Sequence, residues 1–338
     1  MANFIDDSKK RLSFSGYIKN SLLDNIYFDS FIIYESIINN NLNLIFQDQK
    51  YSIICYNIET NQKIIEIKFE ENNCTYEVSS FAHIRNLQNK LDLIIVGFSC
   101  LNVVQVWDSE KWECILNLKN IYKGGRLGYV NFLRNENEIL LVTCQNHYSE
   151  IKGINVFNLN GQKIKELKDS NKEKVYYFVT FFHKDNNFIV AGCDLKVISY
   201  DFNNNKINKI FHDLGEYYNG SHVYIRVIEN QNNIKIIESC YDGKIRIWDF
   251  NSGELIQKIN VSNEALFGFF LFKDEYLIIG GYGRILLLNL KKNNECSEFR
   301  IGNNPIVTIN GINQTPSKIL FAFQMLHAPR IQISDINL

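Results

Sequence analysis

Side chains able to do covalent or metal chemistry are few in this sequence and widely spread. Its six histidines stand far apart, no two at a metal-ligand spacing, so no zinc centre is signalled. The eight cysteines, Cys55, Cys74, Cys100, Cys114, Cys144, Cys193, Cys240 and Cys296, are scattered through apolar stretches without a CxxC pair. That pattern predicts buried structural thiols in a reducing compartment rather than a disulfide frame. No phosphate-cradling GxxxxGKS/T, no HExxH and no GxSxG occurs. Gly280, Gly281 and Gly283 fall between two expected strands with no helix start behind them to receive a phosphate, so they read as a tight turn. His222, beside an expected strand, has the chemistry of a general base. The sequence otherwise points to no catalytic residue, no metal and no cofactor, and the expectation is that the chain is not an enzyme.

Composition says what could surround such residues. The 338 residues are 46% hydrophobic and 13% aromatic, enough for a sizeable core and unlike a disordered or collagen-like chain. Thirty-six basic residues against 37 acidic ones leave a net charge near −1 and no global field to hold a polyanion, so nucleic acid is not an expected partner. The start, MANFIDDSKKRL, lacks the apolar core of a secretory signal. The longest apolar run, Ala265 to Phe272, falls far short of the roughly 20 residues that span a bilayer. No transmembrane segment is expected, and a soluble cytoplasmic chain, with cytoskeletal association as a narrower option, is. Asn clusters such as Asn39–Asn41 and Asn203–Asn205 sit between short blocks of Ile, Phe, Tyr and Val and read as turns.

One strand type recurs. A β-rich block ending in a bulky residue followed by Asp or Asn appears at Tyr56-Asn57, Trp107-Asp108, Phe157-Asn158, Tyr200-Asp201, Trp248-Asp249, Leu288-Asn289 and, most weakly, Ser334-Asp335. The spacing of these marks, 40 to 51 residues, suits a four-stranded propeller blade. Within the fifth period, SHVYIRVIE, IKIIESC, KIRIWDF and LIQKINV are separated by NQNN, YDGK and NSGE. Asp242-Gly243 and Asn160-Gly161 are expected to form hairpin turns with both central residues at positive φ. A lone sheet of this size cannot cover two apolar faces, whereas stacked sheets bury both. The expectation is an all-β, single-domain, seven-bladed β-propeller of four-stranded antiparallel blades. The blades fall near 21–70, 71–119, 120–170, 171–213, 214–262, 263–302 and 303–338. The last lacks a fourth strand, which residues 11–18, RLSFSGYI, are predicted to supply by pairing with Ile331–Ile333.

These residues resemble the WD-repeat family, on the two Trp-Asp dipeptides and the sevenfold spacing. The resemblance implies a buried hydrogen-bonded set of a His near the start of the blade, an Asp in the turn before the third strand and the Trp. His222, Asp242 and Trp248 fit it, giving His222 a structural role; Asp194 stands likewise six residues before Tyr200. Leu101, Ile151 and Tyr282 occupy the turn-Asp position elsewhere, leaving those blades to apolar stacking. Trp107, Asp108, Asp194, Tyr200, His222, Asp242, Trp248 and Asp249 are therefore expected to be structural repeat residues.

The resemblance also implies the function: a non-catalytic scaffold mediating protein–protein interactions in a multiprotein assembly, with no small-molecule ligand expected. Inter-blade loops and second-to-third strand turns converge on one face. The candidates there are Tyr122, Arg126, His147, Tyr148, Tyr217, Tyr218, Tyr241, Tyr282, Arg284, His327 and Arg330, residue types common at interface hot spots. The loops Asn120–Tyr129 and Asp213–Gly220 are expected to share one recognition surface. Two other roles of such propellers have motifs of their own. A phosphoinositide-binding propeller would carry Phe-Arg-Arg-Gly, but Phe299, Arg300, Ile301 and Gly302 lack the second arginine. A ubiquitin-ligase substrate receptor would carry Trp-Asp-x-Arg, but Trp107-Asp108 continues Ser109-Glu110 and Trp248-Asp249 continues Phe250-Asn251. The lysine-rich Lys163–Lys174 stretch, interleaved with Glu166, Asp169 and Glu173, reads as a solvated edge hairpin.

Overall fold

The computed structural model describes residues 3–4, 12–19, 31–37, 40–48, 51–69, 77–86, 90–123, 125–135, 138–145, 153–167, 170, 174–194, 196–213, 222–230, 233–292, 295–315, 318–325 and 330–337. These are all β, with no α-helix among them, and group into the small antiparallel sheets of β-propeller blades. The chain divides into two compact units, 29–212 (unit 2) and 213–338 together with 1–28 (unit 1).

Unit 1 begins with β1 (Asn3–Phe4) and β2 (Leu12–Lys19). Unit 2 then holds four sheets, each of four strands. The first is β3 (Phe31–Glu35), β4 (Leu42–Gln47), β5 (Ile53–Asn57) and β6 (Gln62–Ile67). The second is β7 (Val78–Asn86), β8 (Leu91–Phe98), β9 (Val103–Asp108) and β10 (Glu113–Leu118). The third is β11 (Leu127–Asn135), β12 (Glu138–Gln145), β13 (Ile154–Asn158) and β14 (Lys163–Glu166). The fourth is β15 (Val175–His183), β16 (Asn186–Cys193), β17 (Lys196–Asp201) and β18 (Lys206–Phe211). Each is paired in chain order.

Unit 1 continues with a similar sheet, β19 (His222–Asn230), β20 (Asn233–Cys240), β21 (Lys244–Asp249) and β22 (Leu255–Asn260). Its second sheet has eight strands: β23 (Gly268–Phe272), β24 (Tyr276–Gly280), β25 (Tyr282–Asn289), the long β26 (Glu295–Thr315), β27 (Lys318–Met325), β28 (Arg330–Asn337), β2, and β1 against β26. The described residues thus form six sheets where the periodicity predicts seven blades. The difference lies in β26, one continuous strand whose first part pairs with β25 and whose second part, from Ile306, pairs with β27. The expected N-terminal strand is present: β2 pairs antiparallel with β28, Gly16 opposite Ile333 and Ile18 opposite Ile331.

The recurrent Asp or Asn has a local explanation. Six of the seven end a third strand, and there the side chain accepts backbone N–H groups of the following turn: Thr60 on Asn57 (2.8 Å), Glu110 and Lys111 on Asp108 (2.9 and 3.0 Å), Gln162 on Asn158 (2.9 Å), Asn204 on Asp201 (2.8 Å), Ser252 on Asp249 (2.6 Å), Lys291 on Asn289 (2.8 Å); Asp335 falls inside β28. These are Asx turns, which satisfy turn donors that would otherwise lie unpaired. Asn61, Trp112, Gly161, Asn205 and Gly253 then take positive φ to aim the chain back. Asn160 and Asp242 do not, so at neither expected hairpin turn are both central residues left-handed; only Gly161 and Gly243 are. At the Asn160-Gly161 turn the Asn158 cap takes the place of the second left-handed residue. In all five four-stranded sheets the third and fourth strands slip by one residue beside the bulky mark, leaving Ile64, Ile115, Ile164, Asn208 or Ile256 as the extra residue. Such bulges twist the outer strand and blunt an edge that would otherwise template pairing.

Sheets stack face to face within each unit. Ile32, Tyr34 and Ile45 pack on Phe81, Ile94 and Val96, while Ile95, Val104 and Val106 on the other face pack on Val130, Phe132 and Leu141. Each fully buried side chain of this size contributes about 1.5–3 kcal/mol. Gly97 permits the close approach: a Cβ there would meet Leu127, Ser79 and Val130, each at 2.9 Å. The glycines after β24 form the expected turn, in which Gly283, at φ +61°, leaves room for the Gly302 carbonyl. Among the cysteines, Cys55, Cys144, Cys193, Cys240 and Cys296 are buried, and burial pushes the thiols of Cys55, Cys144 and Cys296 up to about 12. Cys100 and Cys114 are exposed, against expectation, because they fall in a turn and in an outer strand. Cys74 lies outside the described residues.

Candidate functional site

In unit 2 the first strands of successive sheets, β7, β11 and β15, lie side by side. Rungs pin them together: Val130 N donates to Ser80 Oγ (2.9 Å), Arg134 Nη2 to the Arg85 carbonyl (2.6 Å) and Thr180 Oγ1 to the Phe132 carbonyl (2.5 Å). Near the finishing ends of these strands a cleft of about 240 Å³ opens. His83 and Ile84 line it from β7, Asn131–Arg134 from β11, Thr180–Phe182 from β15 and Asn187 from β16. Phe132 and Leu133 are buried at its base, whereas Phe182 is 47% exposed and makes no ring contact with a described residue.

The cleft's polar groups differ in how they are committed. His83 Nε2 is hydrogen-bonded to Asp92 Oδ1, and its ring lies 4.7 Å from that of Tyr34. Burial alone would raise the Asp92 carboxyl, but the hydrogen bond and charge of His83, with donors from Ile37 N and Ser109, outweigh it and hold Asp92 below its usual value. A carboxylate orienting an imidazole is the frame of a general base, yet the one hydroxyl in the cleft, Thr180, is spent on the Phe132 carbonyl. Arg85 is paired with Glu35 at 2.9 Å; Arg134 makes no ion pair with a described residue. Asn187, 1% exposed, donates through Nδ2 to Asn135 Oδ1 (2.8 Å), while its Oδ1 meets no donor among the described residues. A buried acceptor left so costs about 1–3 kcal/mol.

The expected face lies at the other end of these strands. Arg126, just before β11, is exposed, but Tyr122 is buried: its hydroxyl donates to the Thr143 carbonyl (2.8 Å) and meets Thr143 Oγ1 (2.7 Å), and Asn102 Nδ2 donates to its carbonyl. Tyr122 therefore ties the β10–β11 loop to the third sheet and is no surface anchor. His147, Tyr148, Tyr217, Tyr218 and His327 lie outside the described residues, as do the side chains of His222 and Arg330. In unit 1, Tyr241 and Tyr282 are exposed and both make edge contacts with buried Phe267, at 5.8 and 5.5 Å. Arg284, beside them in sequence, is held by Glu264 (3.0 Å), Glu298 (3.5 Å) and Ser262 Oγ (2.9 Å). Arg300 is paired with Glu298 at 3.0 Å.

Asp242 has a partner the sequence reading missed. Its carboxylate accepts from Arg246 Nη2 (2.7 Å) and Nη1 (3.3 Å), and Asp213 accepts from Arg246 Nε (3.0 Å) and Lys258 Nζ (2.9 Å). The Arg246 side chain is fully buried. Burial would raise Asp213, but Lys258 and Arg246 bring its carboxyl down to about 2. Trp248 is buried two residues on; Tyr200 is buried, Trp107 partly so, and Asp194 accepts the Tyr176 hydroxyl. The Lys163–Glu166 pair (2.6 Å) sits exposed on β14. Among the described residues no group of three His, Cys, Asp or Glu is placed to hold a metal, and no helix is long and apolar enough to cross a membrane. Compared with known proteins, the sequence matches no family model and no curated protein.

Proposed function

We propose that this chain is a WD-repeat-like, seven-bladed propeller that acts as a non-catalytic scaffold, binding other polypeptides within a cytoplasmic multiprotein assembly. The observation that carries the reading is the cleft of unit 2. Aromatic side chains, an arginine with no acidic partner among the described residues and amides line it, and its one imidazole is committed to a buried carboxylate. Those are recognition groups held by rigid strands. Support for seven blades comes from β26: up to Arg300 it completes the set begun by β23, and from Ile306 it opens the set finished by β2.

Affinity purification of the full chain with quantitative mass spectrometry tests the role. Stoichiometric, reproducible polypeptide partners are expected, retained through washes with added detergent. A chain recovered alone from every extract, or one turning over a small molecule, would contradict it.

A further inference from the structure

We infer that the cleft in unit 2 takes an extended acidic peptide segment of a partner protein, a carboxylate pairing with Arg134 and a neighbouring apolar side chain lying against Phe181 and Phe182. This rests on the scaffold reading and gives the partner its chemistry. Charge is the first argument. Of the lining residues only His83 and Arg134 can carry charge, both as cations, and no carboxylate lines the cleft. His83 is taken by Asp92 and nearby Arg85 by Glu35, so Arg134 is the cation left to a ligand. Its Nη2 is used on the Arg85 carbonyl, and the remaining guanidinium donors make no bond to a described residue. Arginine without a partner is suited to paired hydrogen bonds with a carboxylate.

Backbone recognition is the second. The buried Asn187 Oδ1 lacks a donor, and Asn131, whose Oδ1 accepts the Phe132 N–H (2.8 Å), makes no bond through Nδ2 to a described residue. A peptide offers an N–H and a C=O to meet these two amides, and side chains that alternate between cation and aromatic wall. Nucleic acid would call for a row of cations along its backbone; the cleft offers one.

The test is fluorescence anisotropy on the full chain with a labelled peptide alternating glutamate and phenylalanine. Controls are the same peptide with glutamine for glutamate, the same peptide with serine for phenylalanine, and a labelled single-stranded oligonucleotide. Saturable binding with Kd on the order of 10–100 µM is expected, at least fivefold weaker for either altered peptide, with no saturation by the oligonucleotide. Phe182→Ala should weaken binding at least fivefold at an unchanged melting temperature, and Arg134→Gln should do so too. Because Arg134 also holds a backbone carbonyl, Phe182→Ala decides the matter if Arg134→Gln lowers the melting temperature. No binding, equal binding by Phe182→Ala, equal binding of the glutamine peptide, or tighter binding of the oligonucleotide would overturn the inference. A purified natural partner bound equally by both variants would overturn it while leaving the scaffold reading standing. Peptide binding at the cleft by a chain that captures no polypeptide would do the reverse.

Discussion

The turn end of unit 1 and the cleft of unit 2 both gather aromatic and cationic side chains, yet they finish their chemistry differently. At the turns of unit 1, Arg246 is closed by Asp213 and Asp242, and Arg284 by Glu264 and Glu298. Its exposed tyrosines lean on Phe267. In the cleft, among the described residues, Arg134 has no acid, Phe182 no ring partner and Asn187 Oδ1 no donor. A group whose needs are met within the fold holds the fold together; one whose needs are unmet is available to a ligand.

The sharpest way to break this contrast is to truncate an arginine on each side. Arg246→Ala would strand two carboxylates around a vacated buried site and should cost about 3–5 kcal/mol, read as a large fall in the denaturation midpoint. Arg134→Ala should cost only about 0.5–1.5 kcal/mol, the worth of its one bond to Arg85. Equal losses would erase the distinction between structural and available charge. Gly97→Val lies between them: with three side chains at 2.9 Å from any Cβ, it should destabilise by about 1–3 kcal/mol through overpacking.

Acid should act on the closed charges. Asp213 sits at about 2 in the folded chain, below its ordinary value, so its contribution is full above about pH 4 and drains as pH falls toward 2. Asp92, also lowered, adds in the same direction. Thermal midpoints at pH 5 and pH 3 should therefore fall more steeply for the native chain than for Asp213→Asn; parallel slopes would remove Asp213 from the account. The smallest effect expected is at a turn cap. Asn158→Ala frees the Asn160 and Gln162 N–H groups at an exposed turn and should cost about 1 kcal/mol or less, seen as a slight fall in midpoint.

What could be read from the letters follows the same line. The third-strand ends stood out because one physical need, an Asx cap after a bulky residue, repeats from sheet to sheet. The N-terminal strand was legible because Leu12, Phe14 and Ile18 alternate with Ser13 and Tyr17 and the last period lacks a strand. The six-sheet count was not, since nothing in the Arg300–Ile306 stretch says that β26 runs unbroken. Tyr122 read as exposed because a Tyr in a glycine-bearing loop carries no sign of Thr143, 21 residues away. Arg246 was in plain view inside KIRIWD, two residues before the Trp; a charged residue on the face of a buried Trp was the available signal. The cleft left no signal at all, because His83, Arg134, Phe182 and Asn187 come to one place only when three separate first strands and the start of β16 lie together.

Hydrogen–deuterium exchange on the full chain, alone and saturated with a purified partner polypeptide, reads whether the cleft is where a partner binds. Slowed exchange is expected in residues 131–134 and 180–182, which line the cleft. Protection confined to the outer strands, such as 113–118 and 163–166, with the cleft unchanged, would contradict it.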